Sequence, residues 1–437
     1  MATRPRSLRI RAYQVGFGDC FLLTFRYSRS KRNVLIDFGS TGRPKRSKPL
    51  DEIALQIAEE CDWKLHGLVA THRHKDHISG FATRKNGDGP GDIIARCKPE
   101  VVIQPWTEDP RAARDAIRPT GLYGRRGRRF VSSLDSMQDV AGAIARLSST
   151  LPNLSKGLRR RLEFIGGNNI ANRSAVENLI KLGDRADARF VYYGRSSGLK
   201  LPGVRTRVLG PPTLKQTDTI RRQRSRDEDE FWHLRALGLD ASAANLAKKS
   251  PRVLFPRAEQ YRHTPVWARW IENRLQEMNG DSLMQIVRTL DHQLNNTSVI
   301  LLFTVGDSSV LFPGDAQIEN WSHALSKPHI QELLKGVNVY KVGHHGSLNA
   351  TPRSLWNLFE HRKGKVSERM HSVVSTMGGK HGSRRADTEV PRETLVEALK
   401  EETHYLTTQA IRSTKNNFRD IEIDFRTGEI EQIVHRG

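Results

Sequence analysis

The segment THRHKDHISG limits the fold and chemistry of this chain more than any other stretch. It places His72, His74, Asp76 and His77 within six residues. The residues before it, HGLVAT, have the make-up of a short strand. A strand that runs into four ligand-type side chains leaves two outcomes. Either the loop is exposed and its side chains are solvated, or a tight loop turns all four inward. Burying four unpartnered polar groups is costly, so the inward arrangement calls for a shared partner. Imidazole nitrogens and a carboxylate are the donors that suit Zn²⁺ and related divalent ions.

The chain around this segment alternates between strand and helix signals. LRIRAYQV, FLLTFRY and NVLIDF read as strands, joined by GFGD and the basic turn SRSKR. The spacing of Ile53, Ile57 and Cys61, beside Ala54 and Ala58, predicts a helix. PEVVIQP is a further strand. From Glu108 the character changes: RAARDAIRPTGLYGRRGRRF holds seven Arg against one Asp. Strand signals return at ARFVYYG and VRTRVLGPP, and a second charged, helical stretch runs to Leu294. After it come TSVILLFTV, SSVLF, NVYKV, HSVVST, the helical PRETLVEALKEE, then HYLTT and IEIDF. The expected organisation is one α/β core, its first half at 1–107 and its second at 295–437, with core strands at 188–212. Two basic or charged helical insertions, 108–187 and 213–294, interrupt it. In the second, Trp267 and Trp270 have helical spacing; they and Trp232 offer base-stacking surfaces, although core packing is the plainer reading.

Near the end lies YKVGHHGSLN, with adjacent His344 and His345. Neighbours on a strand face opposite ways. Gly343 and Gly346 flank the pair and free the backbone from strict alternation, so both rings can reach one site in different roles.

Composition bounds the partners. The 437 residues carry 71 Lys and Arg against 48 Asp and Glu, a net charge of +23. That excess favours an acidic partner, nucleic acid first and an anionic membrane surface second. Apolar residues make up 37%, enough for a core, with a mean hydropathy of −0.57. Cys20, Cys61 and Cys97 are too few for a disulfide framework and fit buried thiols. MATRPRSLRIRAYQV lacks the apolar stretch of a secretory signal, and no run of apolar residues is long enough to span a bilayer. A soluble cytoplasmic protein is expected.

The HxHxDH pattern resembles the metallo-β-lactamase fold. Asp37, ending VLIDFG, Asp315, ending SSVLFPGDA, and the VGHHGS pair arrive in the order of that fold's other landmarks. The branch most similar is the domain of competence DNA-uptake channels, the ComEC type. VGFGDC, NNTS at Asn295 to Ser298, YKVGHHGS and VVSTMGG each resemble a motif of that branch. The likeness covers roughly residues 7–105, 188–212 and 295–435. It does not extend to the Arg-rich regions, which help to separate His77 and Asp315 by 238 positions. Where the branch carries Asn-x-Tyr-Gly-His-Pro, this chain has GGKHGSRRADTEVPRE with Lys380 and His381. Asn295 and Asn296 stand where many relatives have a ligand histidine; His292 is nearby.

The resemblance implies an αββα sandwich with two divalent metal ions, Zn²⁺ first and Mn²⁺ second. His72 and His74 would hold one ion. Asp76, His77 and His345 would hold the other, with the roles of His345 and His344 open to exchange. Asp315 would bridge them, and Asp37 would orient a ligand histidine. Two ions ~3.5–4 Å apart acidify a bridging water and clamp a phosphate oxygen. The expected function is therefore a two-metal phosphodiesterase, foremost a nuclease that hydrolyses DNA by a metal-bridging hydroxide, in repair, uptake or phage defence. Asp76, His344, Lys380 and His381 are the catalytic candidates; Ser347 and Lys341 are candidates for substrate phosphate. GFGD is expected to form a hairpin turn whose aspartate bonds back to the chain. Rival readings are a hydrolase of a small phosphoester or cyclic nucleotide, and a non-catalytic nucleic-acid-binding protein. The Arg-rich insertions suggest a cradle for DNA or RNA, or a lid removed by a regulatory protease.

Overall fold

The computed structural model of the protein describes residues 4–45, 47–109, 173–217, 294–347, 351–381, 389–412 and 415–434. The expectations for most of both insertions, for Trp232, Trp267, Trp270 and for His292 lie outside these residues.

The described chain is mixed α/β with two mixed sheets. The first begins with an antiparallel meander: β1 (Ser7–Tyr13), β2 (Cys20–Arg26) and β3 (Lys31–Phe38). Then β4 (Gly67–Val69), β5 (Val101–Pro105) and β6 (Asp187–Val191) add in parallel. At the other edge β13 (Phe418–Asp424) pairs with β1, and β14 (Ile430–Ile433) follows it, so the order is β14-β13-β1-β2-β3-β4-β5-β6.

The second sheet follows the same plan. β7 (Arg205–Gly210), β8 (Ile300–Val305) and β9 (Ser308–Phe312) are antiparallel. β10 (Val339–Lys341), β11 (His371–Val374) and β12 (His404–Thr407) continue in parallel.

Parallel neighbours need crossover connections, normally helical. α1 (Leu50–Glu60) joins β3 to β4. α2 (Lys75–Ile78) and α3 (Pro90–Arg96) lie between β4 and β5, and α4 (Arg173–Arg185) precedes β6. In the second half α5 (Ile318–Leu325) and α6 (Pro328–Lys335) link β9 to β10. α7 (Arg353–Trp356) and α8 (Glu393–Glu402) make the next two crossings. No helix among the described residues is long and apolar enough to cross a membrane.

Strand alternation sorts the core into layers. Leu8, Ile10, Phe21, Leu23, Val34 and Ile36 meet Leu301, Phe303, Val310 and Phe312 in one cluster between the sheets. Phe21 and Phe312 touch edge-on with ring centres 5.4 Å apart. Each fully buried phenyl ring contributes about 1.5–3 kcal/mol. The opposite faces bury helices. Ile53, Ala54, Ile57 and Ala58 of α1 pack with Leu22 and Leu35, as their spacing predicts. Trp321, Leu334 and Leu399 cover the second sheet. Cys20, Cys61 and Cys97 are buried thiols.

One boundary moves. α4 lies in the stretch assigned to the first insertion, yet Ala175, Leu179 and Leu182 join the core cluster under the first sheet. Asn178 Nδ2 also donates to the carbonyls of Phe81 and Gly91. The core therefore resumes by residue 173 rather than 188. The sequence cue was the apolar face of α4; its need was the parallel pairing of β5 with β6.

Candidate metal centre

The C-terminal ends of β3, β4, β9 and β10 come together at one edge between the sheets, as the two shared sheet plans require. In open α/β sheets this is the edge where ligand-binding loops collect.

Asp37 reaches it through a bulge. Cys20 pairs with Phe38 but Phe21 pairs with Ile36, so Asp37 is the extra residue. Its φ of 54° is unusual for a side chain other than glycine, and a bulge re-aims the residue it carries. The carboxylate accepts from Thr71 N at 2.7 Å, Thr71 Oγ1 at 2.7 Å and His77 Nδ1 at 2.8 Å. Because that oxygen only accepts, Nδ1 carries the proton and His77 Nε2 is left as a donor atom for a cation.

The single turn of α2 sets Asp76 beside His77, with His77 and Ile78 N–H groups on the carbonyl of His74. The turn is clamped from below. Asp19 N–H donates to the Asp76 carbonyl at 2.9 Å, and Gly39 N–H to the Asp19 carbonyl at 3.0 Å. Gly18 sits so close that a Cβ would lie 2.2 Å from the Gly39 carbonyl oxygen and 2.7 Å from that of Asp76. Thus GFGD does join β1 to β2, but it is the floor of the HxHxDH loop rather than a free hairpin turn.

The histidine pair is not on a strand. β10 ends at Lys341, and His344–Gly346 forms a short 3-10 turn in which His344 and His345 have φ of 45° and 53°. Strand alternation therefore does not govern them. His345 is fully buried; its Nδ1 donates to the Ser375 carbonyl at 3.0 Å and its Nε2 lies 3.1 Å from Asp76 Oδ2. The His344 side chain is 24% exposed, at the rim, with Nε2 3.9 Å from Asp315 Oδ2.

Among the described residues three sets of donor atoms lie within 4.8 Å of one another: His72, His77 and Asp315; Asp76, His77 and His345; and Asp19, Asp37 and His77. Asp315 is central. Its Oδ2 is 3.0 Å from His77 Nε2 and 3.9 Å from Nε2 of His72, His344 and His345 alike. Its backbone N–H is held by Ser298 Oγ at 3.3 Å, which places the NNTS segment at the site. His74 faces His72, Nδ1 to Nε2 at 2.9 Å, and falls in none of the three sets.

Four buried carboxylates, Asp19, Asp37, Asp76 and Asp315, surround the imidazoles, against one buried ammonium, Lys341. Burial pushes the Asp315 and Asp76 carboxyls upward, but His77, His345 and, for Asp315, His344 outweigh it and hold both below the ordinary range. Burial outweighs His77 at Asp37, whose pKa is raised. Burial, then His77 and His74, drive His72 far down. Burial opposes charge on His345, yet Asp19 and Asp315 lift it to about 10. A buried cluster with surplus negative charge, imidazole Nε2 atoms facing inward and an Asp76 Oδ1 without a hydrogen-bond partner fits divalent cations.

The remaining candidates divide. Ser347 closes the 3-10 turn, half-buried, its N–H on the His344 carbonyl at 2.9 Å. Exposed Lys380 lies over Gly42. The His381 ring centre lies 4.1 Å from that of Phe17, tilted by 53°, and the Phe17 ring centre lies 4.4 Å from that of His345. Burial lowers the His381 pKa to about 3 against the pull of Asp76. Lys341 is 2% exposed and paired with Asp19, so its ammonium is directed at that carboxylate. The assignment of Lys341 to substrate phosphate is thus corrected, because β10 turns its side chain between the sheets. Asp19 was the residue that sequence reasoning missed as part of the centre. Its signal lies in VGFGDC, but nothing local says that its carboxylate meets residues more than 300 positions away.

A scan against protein-family models finds no match for this chain, and a search of curated proteins finds none either.

Proposed function

We propose that the protein is a two-cation phosphodiesterase with a metallo-β-lactamase-like αββα architecture, acting on nucleic acid, DNA foremost. The observation that carries this reading is the convergence of His72, Asp76, His77, Asp315 and His345 within bonding reach of shared points at the sheet edge. His72 with His74 would hold one divalent cation and Asp76, His77 and His345 the other, with Asp315 facing both. Such a pair, when bound, acidifies water and neutralises charge on a phosphate oxygen.

The chain's own residues supply the rest. Asp37 and the Ser375 carbonyl keep Nδ1 of His77 and His345 protonated, so both Nε2 atoms face the centre. Rim-placed His344 can exchange a proton with a substrate oxygen through Nε2. Ser347 and Lys380 border the same edge and supply a hydroxyl and a positive charge for phosphate. The net charge of +23 favours a polyanion over a small neutral ester.

The test is digestion of linear, circular and single-stranded DNA and of RNA with Zn²⁺, Mn²⁺ and Mg²⁺. The His74→Ala, Asp76→Ala double variant is the control. Cleavage that depends on the cation and is abolished in the double variant is expected. Equal cleavage by the variant would refute the assignment. Intact nucleic acid alongside hydrolysis of bis-p-nitrophenyl phosphate would restrict it to small phosphodiesters.

A further inference from the structure

The Asp19–Lys341 pair is a buried charged element at the centre that the proposed chemistry leaves without a role. Val339 of β10 belongs to the core between the sheets and Tyr340 to the core beneath the helices. The period of two then turns Lys341 back between the sheets, at the edge that carries the centre. There its ammonium meets Asp19, which the β1–β2 connection of the opposite sheet supplies. It also donates to the Gly314 carbonyl at 3.3 Å and lies 3.8 Å from Asp315 Oδ1. Stability is a weak account of such a pair, since desolvating two ions offsets most of their attraction.

The geometry at the carboxylates gives a better one. Asp315 Oδ1 accepts from His344 N–H at 3.1 Å and faces Lys341, while Oδ2 faces the imidazoles. Asp19 lies behind the ligand rings, Oδ1 3.5 Å from His345 Nδ1 and Oδ2 3.7 Å from His77 Nδ1. One ammonium therefore ties the carboxylate behind two ligand imidazoles to the carboxylate in front of them, and so ties one sheet to the other.

We propose that Lys341 is a positioning residue of the metal centre: held between Asp19 of one sheet and Asp315 of the other, it sets which oxygen of Asp315 faces the imidazoles. This rests on the two-cation reading above. It also makes a prediction opposite in sign to simple electrostatics. Removing a positive charge this close to a cation site would, by charge alone, tighten cation binding. Removing a positioning residue loosens it.

The experiment titrates Zn²⁺ into the metal-free full chain by calorimetry, with bound Zn²⁺ counted after dialysis. The parent is compared with Lys341→Met and with the Asp19→Asn, Lys341→Met double variant. The double variant removes both charges together and so guards against misfolding from one stranded ion. We expect Lys341→Met, which loses the positive charge alone, to bind Zn²⁺ on the order of tenfold more weakly, as loss of outer-shell support does, and the double variant, its thermal midpoint kept, to bind more weakly than the parent as well. Unchanged or tighter Zn²⁺ binding in the folded double variant overturns the proposal and leaves the two-cation reading intact. Absence of Zn²⁺ binding by the parent itself overturns both.

Discussion

Asp37→Asn is the sharpest probe of how the centre is built. The substitution keeps size and tolerates the positive φ of the bulge, because asparagine visits that region readily. It replaces one acceptor oxygen by an NH₂ donor. Asp37 Oδ1 takes the Thr71 backbone N–H, and Oδ2 takes Thr71 Oγ1 and His77 Nδ1, all at 2.7–2.8 Å. If the amide nitrogen faced the Thr71 N–H, two donors would collide. The favoured placement therefore aims it at Thr71 Oγ1 and His77 Nδ1. The hydroxyl can turn and accept. The imidazole can accept only by moving its proton to Nε2, the atom that lies 3.0 Å from Asp315 Oδ2 and faces the centre. The ring is then in the wrong tautomer to ligate. Loss of a charged hydrogen-bond acceptor in a buried site costs about 1–3 kcal/mol of stability, and loss of outer-shell support costs about 10–100-fold in cation affinity. Both follow from thermal unfolding and Zn²⁺ titration of parent and variant, with ¹⁵N NMR to read the His77 tautomer. A variant that binds Zn²⁺ as the parent does, with His77 still protonated at Nδ1, would refute this account of Asp37.

Three further outcomes are expected. On the two-cation reading, His345→Ala should lose bound Zn²⁺, because a fully buried imidazole nitrogen is removed, whereas His344→Ala should keep its metal and lose turnover by about 10²–10⁴-fold; equal metal loss in both would remove the distinction between buried and rim histidine. Phe21→Ala, in the layer between the sheets, should destabilise the protein by about 3–5 kcal/mol in denaturant unfolding, and a change near zero would mean that the two sheets do not share one packed core. His66 accepts the Asn33 N–H at Nδ1, and burial, aided by Arg32, lowers its pKa to about 4. A histidine held neutral in this way contributes stability that is complete above its ordinary pKa of about 6.5 and is lost as pH falls toward 4. His66→Gln should therefore flatten the pH dependence of stability across that window by about 1–3 kcal/mol, and parallel curves for parent and variant would show that His66 does not titrate as described.

Much of the architecture was written locally. Alternating apolar residues in LRIRAYQV and continuous apolar runs in FLLTFRY and TSVILLFTV mark strands, because one face of each must meet the opposite sheet and the inner strands also bury the other face under helices, and Ile53, Ala54, Ile57 and Ala58 mark a helix because they must cover one. The four ligand-type residues of HRHKDH pointed to a shared partner for the same kind of reason, namely the cost of burying them alone. What the sequence could not decide was which distant groups meet there. His345 Nε2 and Asp76 Oδ2 are 3.1 Å apart in space and 269 positions apart in the chain, so no local pattern chooses His345 over His344; a 3-10 turn with two left-handed residues does. Lys341 reads as an available cation until β10 buries it on Asp19, and Asp19 reads as a turn residue until the opposite sheet brings Lys341 to it. Periodicity is a property of neighbours and was legible in the residues themselves. The partners of buried charges depend on how two sheets close over one another, and only the tertiary structure determined them.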